Sequence, residues 1–323
     1  MIPSRTMTDK ILGIIGPTAS GKSARAIEEA LARGGEIISV DSRQVYRGLD
    51  IGTEKISKEE MRNVPHHLID IRDVKEPYSA GDFVADATRL IGEITARDNL
   101  PILVGGTHFY FDALLHGLPE GTPPDERLRK ELERLTTDEL YAWVRLADPR
   151  RAAELDPANR RRLVRTLEVI ATHGSVPLRR HGVSTRPEKP LKCPTGQISG
   201  YLGEPYEVEW VVIDPPREEL RARIDARLSS ALAHGLIDEV RRVRESLMHH
   251  LSRYSERNGY AEADKRLNEL GLEYRIVGEY LRDERTEASL LPALSAKLWQ
   301  YARRQKAWLR KLTESDAPQA NPQ

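Results

Sequence analysis

The stretch KILGIIGPTASGKS, residues 10–23, decides the fold at the start of the chain. Its first half is an apolar run (Ile11, Leu12, Ile14 and Ile15), which is typical of a buried β-strand that ends in glycine. A helix is predicted from Ser20 to Arg33, because Gly34 and Gly35 follow it as stop signals. The stretch therefore predicts a strand, a tight loop and a helix, in that order.

The loop between this strand and this helix matches the pattern G-x-x-x-x-G-K-[ST], in the strand-loop-helix context that the pattern requires. Backbone N–H groups of such a loop and of the helix N-terminus converge on anionic oxygens. Lys22 adds a positive charge, and the Ser23 hydroxyl is suited to hold Mg²⁺. We therefore predict a phosphate-binding site formed by Gly16, Pro17, Thr18, Ala19, Ser20, Gly21, Lys22 and Ser23.

Strand and helix patterns alternate after the loop. Apolar strands are predicted at Glu36–Val40 and Pro101–Val104, with a helix at Ala80–Ala96 between them. Such alternation predicts a parallel sheet covered on both faces. A fourth strand, Glu207–Ile213, comes much later, so we expect the chain to leave the sheet and return to it. The predicted fold class is α/β: a P-loop NTPase-like parallel sheet with flanking helices and an inserted, mostly helical domain.

Because the chain is expected to leave the sheet and return to it, we divide it into four predicted segments. Residues 1–117 form the first part of the core, 118–205 a helical insertion domain, 206–312 the core completion with C-terminal helices, and 313–323 a disordered tail. In the insertion, Asp156 and Pro157 are predicted to begin a helix that runs to about Thr172, and Gly182–Gly203 is predicted to be loop. Further helices are predicted at Glu126–Leu135, Thr137–Leu146, Arg217–His234, Leu236–His249, Ala263–Leu281 and Ala288–Leu312.

The overall composition favours a globular protein outside the membrane. No apolar run reaches the length that spans a bilayer, and the first ten residues lack a signal-peptide core. The single cysteine, Cys193, excludes an internal disulfide and suits a reducing cytoplasm, where we expect a monomer. The formal net charge is zero, so binding to nucleic acid would depend on local basic patches.

The phosphate-binding loop alone leaves its ligand open. Most such loops bind nucleotides in hydrolases or in small-molecule kinases. Asp41 closes an apolar strand, as an Mg²⁺-organising acid does in a hydrolase, but it continues into an unusual polar run, Ser42–Tyr46. The strand that ends at Val104–Thr107 offers no acid. Neither pattern is decisive evidence that the protein binds ATP and catalyses a reaction of ATP.

Six motifs, in order along the chain, resemble those of the tRNA dimethylallyltransferases, also called isopentenyl-tRNA transferases. The phosphate loop has the family's particular form, G-P-T-A-S-G-K-[ST], and the resemblance extends from about Ile11 to Leu312. The lack of a zinc-finger extension favours a bacterial-type member. The motifs are Gly16–Ser23, Asp41–Thr53, Val64–Asp70, Leu103–Thr107, Arg162–Val169 and Tyr301–Trp308.

The resemblance implies a metal-assisted alkyl transfer. Dimethylallyl pyrophosphate would donate its allylic group to the exocyclic amine N6 of the adenosine just 3′ of the anticodon, and the phosphate loop would hold pyrophosphate as the leaving group. The family pattern implies Asp41 as general base, Thr107 as a hydrogen-bonding group near the amine, and Arg223 as a stabiliser of developing charge, with Arg217 as a weaker candidate. Mg²⁺ would assist Lys22 and Arg223 in that task.

The resemblance also implies contacts with the anticodon stem-loop of tRNA, whose target base would be extruded into a pocket. The extruded base would meet Asp41, Ser42, Arg43, Gln44 and Thr107. The insertion domain would contact tRNA through Arg129, Arg161, Arg162, Leu163, Val164 and Arg165. The resemblance implies that Tyr274 and Arg275 also contact the tRNA.

Two positions depart from the family pattern. Glu273 stands where a glycine usually precedes Tyr-Arg or Tyr-Lys, and His108 stands where a smaller residue often follows the threonine. The adjacent His66 and His67 are expected to have structural roles, because neighbouring residues point in different directions. Two alternatives stay open: a small-molecule kinase whose helical lid is Leu118–Gly203, and a non-catalytic RNA-binding protein with a vestigial loop.

Overall fold

The structure is a computed structural model, and it describes residues 9–117, 125–176, 197–199, 205–252 and 259–314. The chain divides into two compact units. The core unit comprises Met1–Gly117 and Lys189–Gln323, and the insertion unit comprises Leu118–Glu188. The four segments and the roles assigned to them above stay predictions.

The core unit is built on a single sheet whose described strands follow the order β3-β2-β4-β1-β6-β5. Five strands run parallel, and β5 pairs with β6 in the antiparallel direction. The predicted α/β fold with a parallel sheet is confirmed. The strands are β1 (Asp9–Ile15), β2 (Gly35–Val40), β3 (His66–His67), β4 (Leu100–Gly105), β5 (Gln197–Ser199) and β6 (Pro205–Val212).

Helices follow the strands as the alternation predicts, with a further group at the C-terminal end. In the core unit they are α1 (Lys22–Arg33), α2 (Ala80–Thr95) and α3 (His108–His116), and the insertion unit has α4 (Glu126–Leu132), α5 (Thr137–Ala147), α6 (Pro149–Glu154) and α7 (Arg160–His173). The C-terminal group is α8 (Arg217–Ala233), α9 (Leu236–Ser252), α10 (Gly259–Glu269), α11 (Leu272–Leu281) and α12 (Leu290–Glu314). None of the helices in the described ranges is long and apolar enough to cross a bilayer.

The central strands are buried because helices cover both sheet faces. All six residues of β2 are buried, and Leu12 and Ile14 of β1 have no exposed surface. Burial along the whole strand is typical of a parallel sheet, and in β2 it includes the polar residues Glu36 and Ser39. A second apolar cluster joins the C-terminal helices to the segment after β2, where Val45 and Leu49 pack with residues such as Ile224 of α8. The C-terminal helices therefore hold the segment that follows Asp41.

Two helix predictions are wrong in detail. The single helix predicted at Ala263–Leu281 is interrupted, because Gly271 adopts a φ of 150°, outside the helical range. The predicted start at Asp156 is also wrong: the Asp156 carboxylate accepts from the Ala158 amide at 3.0 Å and closes a turn, and α7 begins at Arg160 with Asn159 as its N-cap.

Other elements were not predicted. These are α3, α6, β3 and β5, and β5 occupies part of the predicted loop Gly182–Gly203. The rest of that predicted loop lies outside the described residues. Residues 313 and 314 of the predicted tail are helical, and the remainder of the tail also lies outside the described residues.

Candidate active site

The carboxyl ends of three neighbouring strands define one edge of the sheet. Strand β4 pairs with both β1 and β2, so the phosphate loop after β1, Asp41 after β2 and Thr107 after β4 are brought to the same edge. Ligands bind at this edge in open parallel sheets. A cleft here is lined by polar residues, which include Lys22, Ser23 and Asp41, and by the apolar residues Ala26, Ile37, Ile56, Ile69 and Val104.

The phosphate loop is tightly folded. Gly21 precedes α1 with a φ of 90°, a left-handed conformation that favours glycine. A Cβ on Gly16 would lie 2.5 Å from the carbonyl oxygen of Ile213, so only glycine fits there. Within the described residues, the buried Ser20 hydroxyl has no hydrogen-bond partner. The loop therefore has the compact form and the unsatisfied polar group that suit an anionic ligand.

Lys22 points its ammonium group back into this loop. Its Nζ donates to the carbonyl oxygen of Pro17 at 2.6 Å. Burial lowers the pKa of Lys22 to about 8, although the negative charges of Asp41 and Glu54 act against that effect. A half-buried cation interacts more strongly with an incoming anion than a fully solvated one does.

Asp41 is oriented by the backbone that follows it. Its Oδ1 accepts from the amides of Arg43 at 2.7 Å and Gln44 at 3.2 Å. Its Oδ2 accepts no hydrogen bond from any residue that the structure describes. The Oγ1 of Thr107 accepts from the Ser42 amide at 3.3 Å, which places Thr107 beside Asp41. A fixed carboxylate with one free oxygen is a suitable proton acceptor.

Arg223 lies at the phosphate loop, on helix α8. Its Nη1 donates to the carbonyl oxygen of Ser20 at 3.3 Å, and its Nη2 pairs with Glu219 at 2.5 Å. The side chain is 46% exposed, so the guanidinium group can reorient towards a ligand. Arg217, in contrast, lies over the Trp299 ring at 5.6 Å, which gives it a packing partner.

The side chain of Gln44 is half-buried and is held by hydrogen bonds to the protein. Its Oε1 accepts from the Ser39 hydroxyl at 3.1 Å, and its Nε2 donates to the carbonyl oxygen of Thr53 at 3.2 Å. This amide joins the end of β2 to the end of the second motif. Gln44 therefore shapes the part of the cleft next to Asp41, whereas its predicted contact with a base stays a prediction.

His66 and His67 both have protein partners, as their predicted structural roles require. The ring of His66 borders the cleft, and its Nδ1 lies 2.8 Å from the carbonyl oxygen of Val64. His67 contacts the buried Glu36 through Nε2 at 2.7 Å. Burial lowers the pKa of His66, which favours its neutral form.

Tyr274 occupies a buried position in α11. It is 1% exposed, and its hydroxyl donates to Oε1 of Glu239 at 2.7 Å. The Glu239 carboxylate also accepts from the amides of Asp50, Ile51 and Gly52 at 2.7–3.0 Å. Because this side chain presents no surface to RNA, we propose that Tyr274 supports the Asp50–Gly52 turn in place of the tRNA contact expected from sequence. The neighbouring Arg275 is half-buried, and its predicted contact stays a prediction.

Two further residues of this site were not singled out from sequence. Gln305 of α12 accepts from the Thr18 amide through Oε1 at 2.9 Å and donates to the carbonyl oxygen of Gly106 through Nε2 at 2.9 Å. Arg227 of α8 donates to the Thr18 hydroxyl at 2.7 Å. The signal for Arg227 was its position one helical turn after Arg223, which places both arginines on one helix face.

In the insertion unit, one carboxylate organises two of the predicted tRNA-binding arginines. Glu168 is fully buried and pairs with Arg129 at 2.6 Å and Arg165 at 3.2 Å. Arg161 and Arg162 are exposed on α7. Leu163 is 0% exposed and belongs to the apolar cluster of this unit, so we propose a packing role for its side chain, and Val164 packs partly against the same cluster.

A phosphate loop at the edge of a parallel sheet, with an oriented carboxylate at the end of a nearby strand, defines a P-loop-like α/β protein with a polar cleft at that edge. Residues 44–312 match the model of the IPP transferase family, so the chain belongs to that family.

Individual relatives and solved structures agree with this assignment. The chain is 37% identical over 310 residues to a tRNA dimethylallyltransferase of Thermomicrobium roseum, covering 94% of this chain and 84% of that one. It resembles the crystal structure of a tRNA isopentenylpyrophosphate transferase from Bacillus halodurans with a TM-score of 0.60 and 34% identity, covering 94% of this chain and 87% of that one. A eukaryotic dimethylallyltransferase acting on tRNA matches with a TM-score of 0.72 and 25% identity, covering 96% of this chain and 73% of that one.

Proposed function

We propose that this protein transfers the dimethylallyl group of dimethylallyl pyrophosphate to N6 of the adenosine 3′-adjacent to the anticodon in tRNA. The observation that carries the proposal is the oriented Asp41 carboxylate in the same cleft as Lys22 of the phosphate loop. The apolar residues that line this cleft suit an allylic chain. Family membership favours this reaction over a small-molecule kinase or a vestigial binding protein.

In this reaction the adenine N6 forms a bond to C1 of the allylic group, and the bond from C1 to the pyrophosphate oxygen breaks. The bonding electrons leave with pyrophosphate. The N6 proton passes to Oδ2 of Asp41, the carboxylate oxygen that accepts no hydrogen bond from the described residues. Thr107 helps to position the amine, and Lys22, the loop amides and Arg223 stabilise the negative charge that develops on the leaving group.

The hydroxyl group at the start of α1 suits a divalent cation, which would bind beside the phosphate loop. The Ser23 hydroxyl makes no hydrogen bond to the described residues and is the oxygen ligand that we assign to Mg²⁺. In the part of the chain that the structure describes, no cluster of three or more His, Cys, Asp or Glu residues offers a separate metal site. When bound, the cation would neutralise charge on the leaving group.

The test is a transfer assay with Mg²⁺, labelled dimethylallyl pyrophosphate and unmodified tRNA, followed by nucleoside analysis. We expect N6-dimethylallyladenosine next to the anticodon from the wild-type protein. Asp41→Asn keeps the shape of the side chain but removes the proton acceptor, so we expect turnover to fall by roughly 10²–10⁴-fold while tRNA still binds. Product at the wild-type rate in this variant would remove Asp41 as general base, and a folded wild type without product would contradict the function.

A further inference from the structure

We infer that Lys55 is a positioning residue, which fastens the second motif (Asp41–Thr53) to the third motif (Val64–Asp70) and so holds the backbone that orients Asp41. This inference rests on the function proposed above. Lys55 lies two residues after the second motif, and its side chain is 5% exposed. None of its hydrogen bonds to the described residues is with Asp41, so it acts on the reaction through the residues it holds.

The ammonium group of Lys55 joins three points of these two motifs. Its Nζ donates to the carbonyl oxygen of Tyr46 at 2.8 Å and to Oδ1 of Asp50 at 2.7 Å, both in the second motif. It also donates to Oδ1 of Asp70 at 2.5 Å, at the end of the third motif. A lysine ammonium group has three N–H donors, so each of them has a partner here. The cluster therefore ties the two motifs together through one buried cation.

Asp70 connects this cluster to the Asp41 carboxylate through Gln44. The Asp70 amide donates to the carbonyl oxygen of Gln44 at 3.1 Å. The Gln44 amide in turn donates to Oδ1 of Asp41 at 3.2 Å, and this is one of the two hydrogen bonds that orient the carboxylate. The position of Asp70 therefore helps to set the peptide groups on either side of Gln44, and through them the orientation of Asp41.

The backbone of Asp70 depends on its surroundings. Asp70 has a φ of 56° and Leu68 a φ of 61°, left-handed conformations that residues with side chains rarely adopt. Such conformations persist only where contacts hold them. The Leu68 side chain is buried, whereas the Asp70 carboxylate is 47% exposed and is held by Lys55. Loss of the Lys55 ammonium group would free this carboxylate and let the backbone that contacts Gln44 move.

The test compares Lys55→Met, Asp70→Asn and the double variant in the transfer assay. Methionine is close to lysine in length but donates no hydrogen bond. We expect kcat to fall roughly 10–10²-fold in Lys55→Met, because errors of about 1 Å in the alignment of reacting groups cost up to that much in rate. The KM for dimethylallyl pyrophosphate should change about threefold or less, since none of the partners of Lys55 in the described residues belongs to the phosphate loop.

Asp70→Asn keeps a residue that tolerates the left-handed backbone but removes the charge, so we expect a smaller loss of kcat, about 3–10-fold. Because both changes break the same ion pair, the double variant should lose much less than the product of the two single effects. Lys58→Met is the matched control, because Lys58 is an exposed lysine of the same segment and makes no hydrogen bond or ion pair with the residues that the structure describes. We expect its kcat to stay at the wild-type value.

Wild-type kcat in Lys55→Met, a loss confined to KM, an equal loss in Lys58→Met, or fully multiplicative effects in the double variant would each overturn the positioning role. If Lys55→Met fails to fold, Asp70→Asn decides alone, because a wild-type kcat there removes the proposed link. Product from the wild type together with any of these results leaves the proposed function standing. Absence of product from the folded wild type contradicts the function, and this inference falls with it.

Discussion

At the residue scale, the site depends on side chains whose protonation or orientation the fold controls. Asp41 keeps one oxygen engaged by two amides, and Lys22 is enclosed by the loop whose carbonyl oxygen it contacts. The position of both residues in the site was predicted from sequence. The lowered pKa of Lys22 was not predicted, because it depends on burial and on the charges of Asp41, Glu54 and Arg227, which are distant in sequence.

The lowered pKa of Lys22 predicts that activity falls at alkaline pH. Its pKa is lowered to about 8, so the free enzyme loses this positive charge as pH rises through that value. We expect kcat/KM for dimethylallyl pyrophosphate to fall about tenfold per pH unit above it. Bound dimethylallyl pyrophosphate stabilises the charged form of Lys22. We therefore expect kcat to begin to fall at a higher pH than kcat/KM does.

Lys22→Arg serves as the control for this profile. Arginine remains charged over the whole range, so the alkaline limb should disappear even though the absolute rate falls. An unchanged limb in Lys22→Arg would assign the titration to another group.

At the scale of elements, the closeness of β2 and β4 brings Asp41 and Thr107 together. Gly105, the last residue of β4, is packed against the backbone of Val40, so a Cβ there would lie 2.1 Å from the Val40 carbonyl oxygen. The two strand ends can therefore approach only because this position lacks a side chain. The C-terminal helices then fix the loops that follow these strands, through Gln305 on Gly106 and Glu239 on the turn at Asp50–Gly52.

Gly105→Ala should therefore damage both stability and catalysis. We expect a loss of about 1–3 kcal/mol in the free energy of unfolding, measured by denaturant titration, because the added methyl group forces the strand ends apart. We also expect a larger loss in kcat than in tRNA affinity, since Asp41 and Thr107 separate. Gly92→Ala is the matched control: nothing lies within 4 Å of its Cβ, and alanine at this helical position should stabilise α2. Equal behaviour of the two variants would contradict the close-packing argument.

At the scale of the whole molecule, zero net charge means that tRNA binding must be local. Arg161 and Arg162 are exposed on α7 of the insertion unit, whereas Arg129 and Arg165 are both paired with the buried Glu168. The exposed pair is thus the part of the predicted patch that is most accessible to phosphate groups.

The double variant Arg161→Ala/Arg162→Ala should weaken tRNA binding without changing the donor site. We expect affinity to fall roughly tenfold at low salt, with the slope of log K against log salt reduced by about 1–2, and an unchanged KM for dimethylallyl pyrophosphate. Arg127→Ala is the control within the same unit, because Arg127 is 93% exposed but lies outside the predicted patch. A salt slope that stays at the wild-type value would remove the two arginines from the interface.

The sequence by itself determined the order of strand, phosphate loop and helix, and it placed Asp41 and Thr107 at strand ends. These features are local, since they depend on hydrophobic periodicity, glycine positions and short motifs. The break at Gly271 and the start of α7 at Arg160 were missed, because each depends on backbone geometry and capping that competing local signals obscured.

The opening stretch, residues 10–23, carried enough information for a phosphate site, but only the tertiary structure decided how that site is held. Thr18 is anchored by Gln305, 287 residues away, and by Arg227, which also contacts Gly52 across 175 residues. The role of Tyr274 likewise depends on the buried carboxylate of Glu239. Such contacts leave no local periodicity in the sequence, because packing of the C-terminal helices onto the sheet edge creates them.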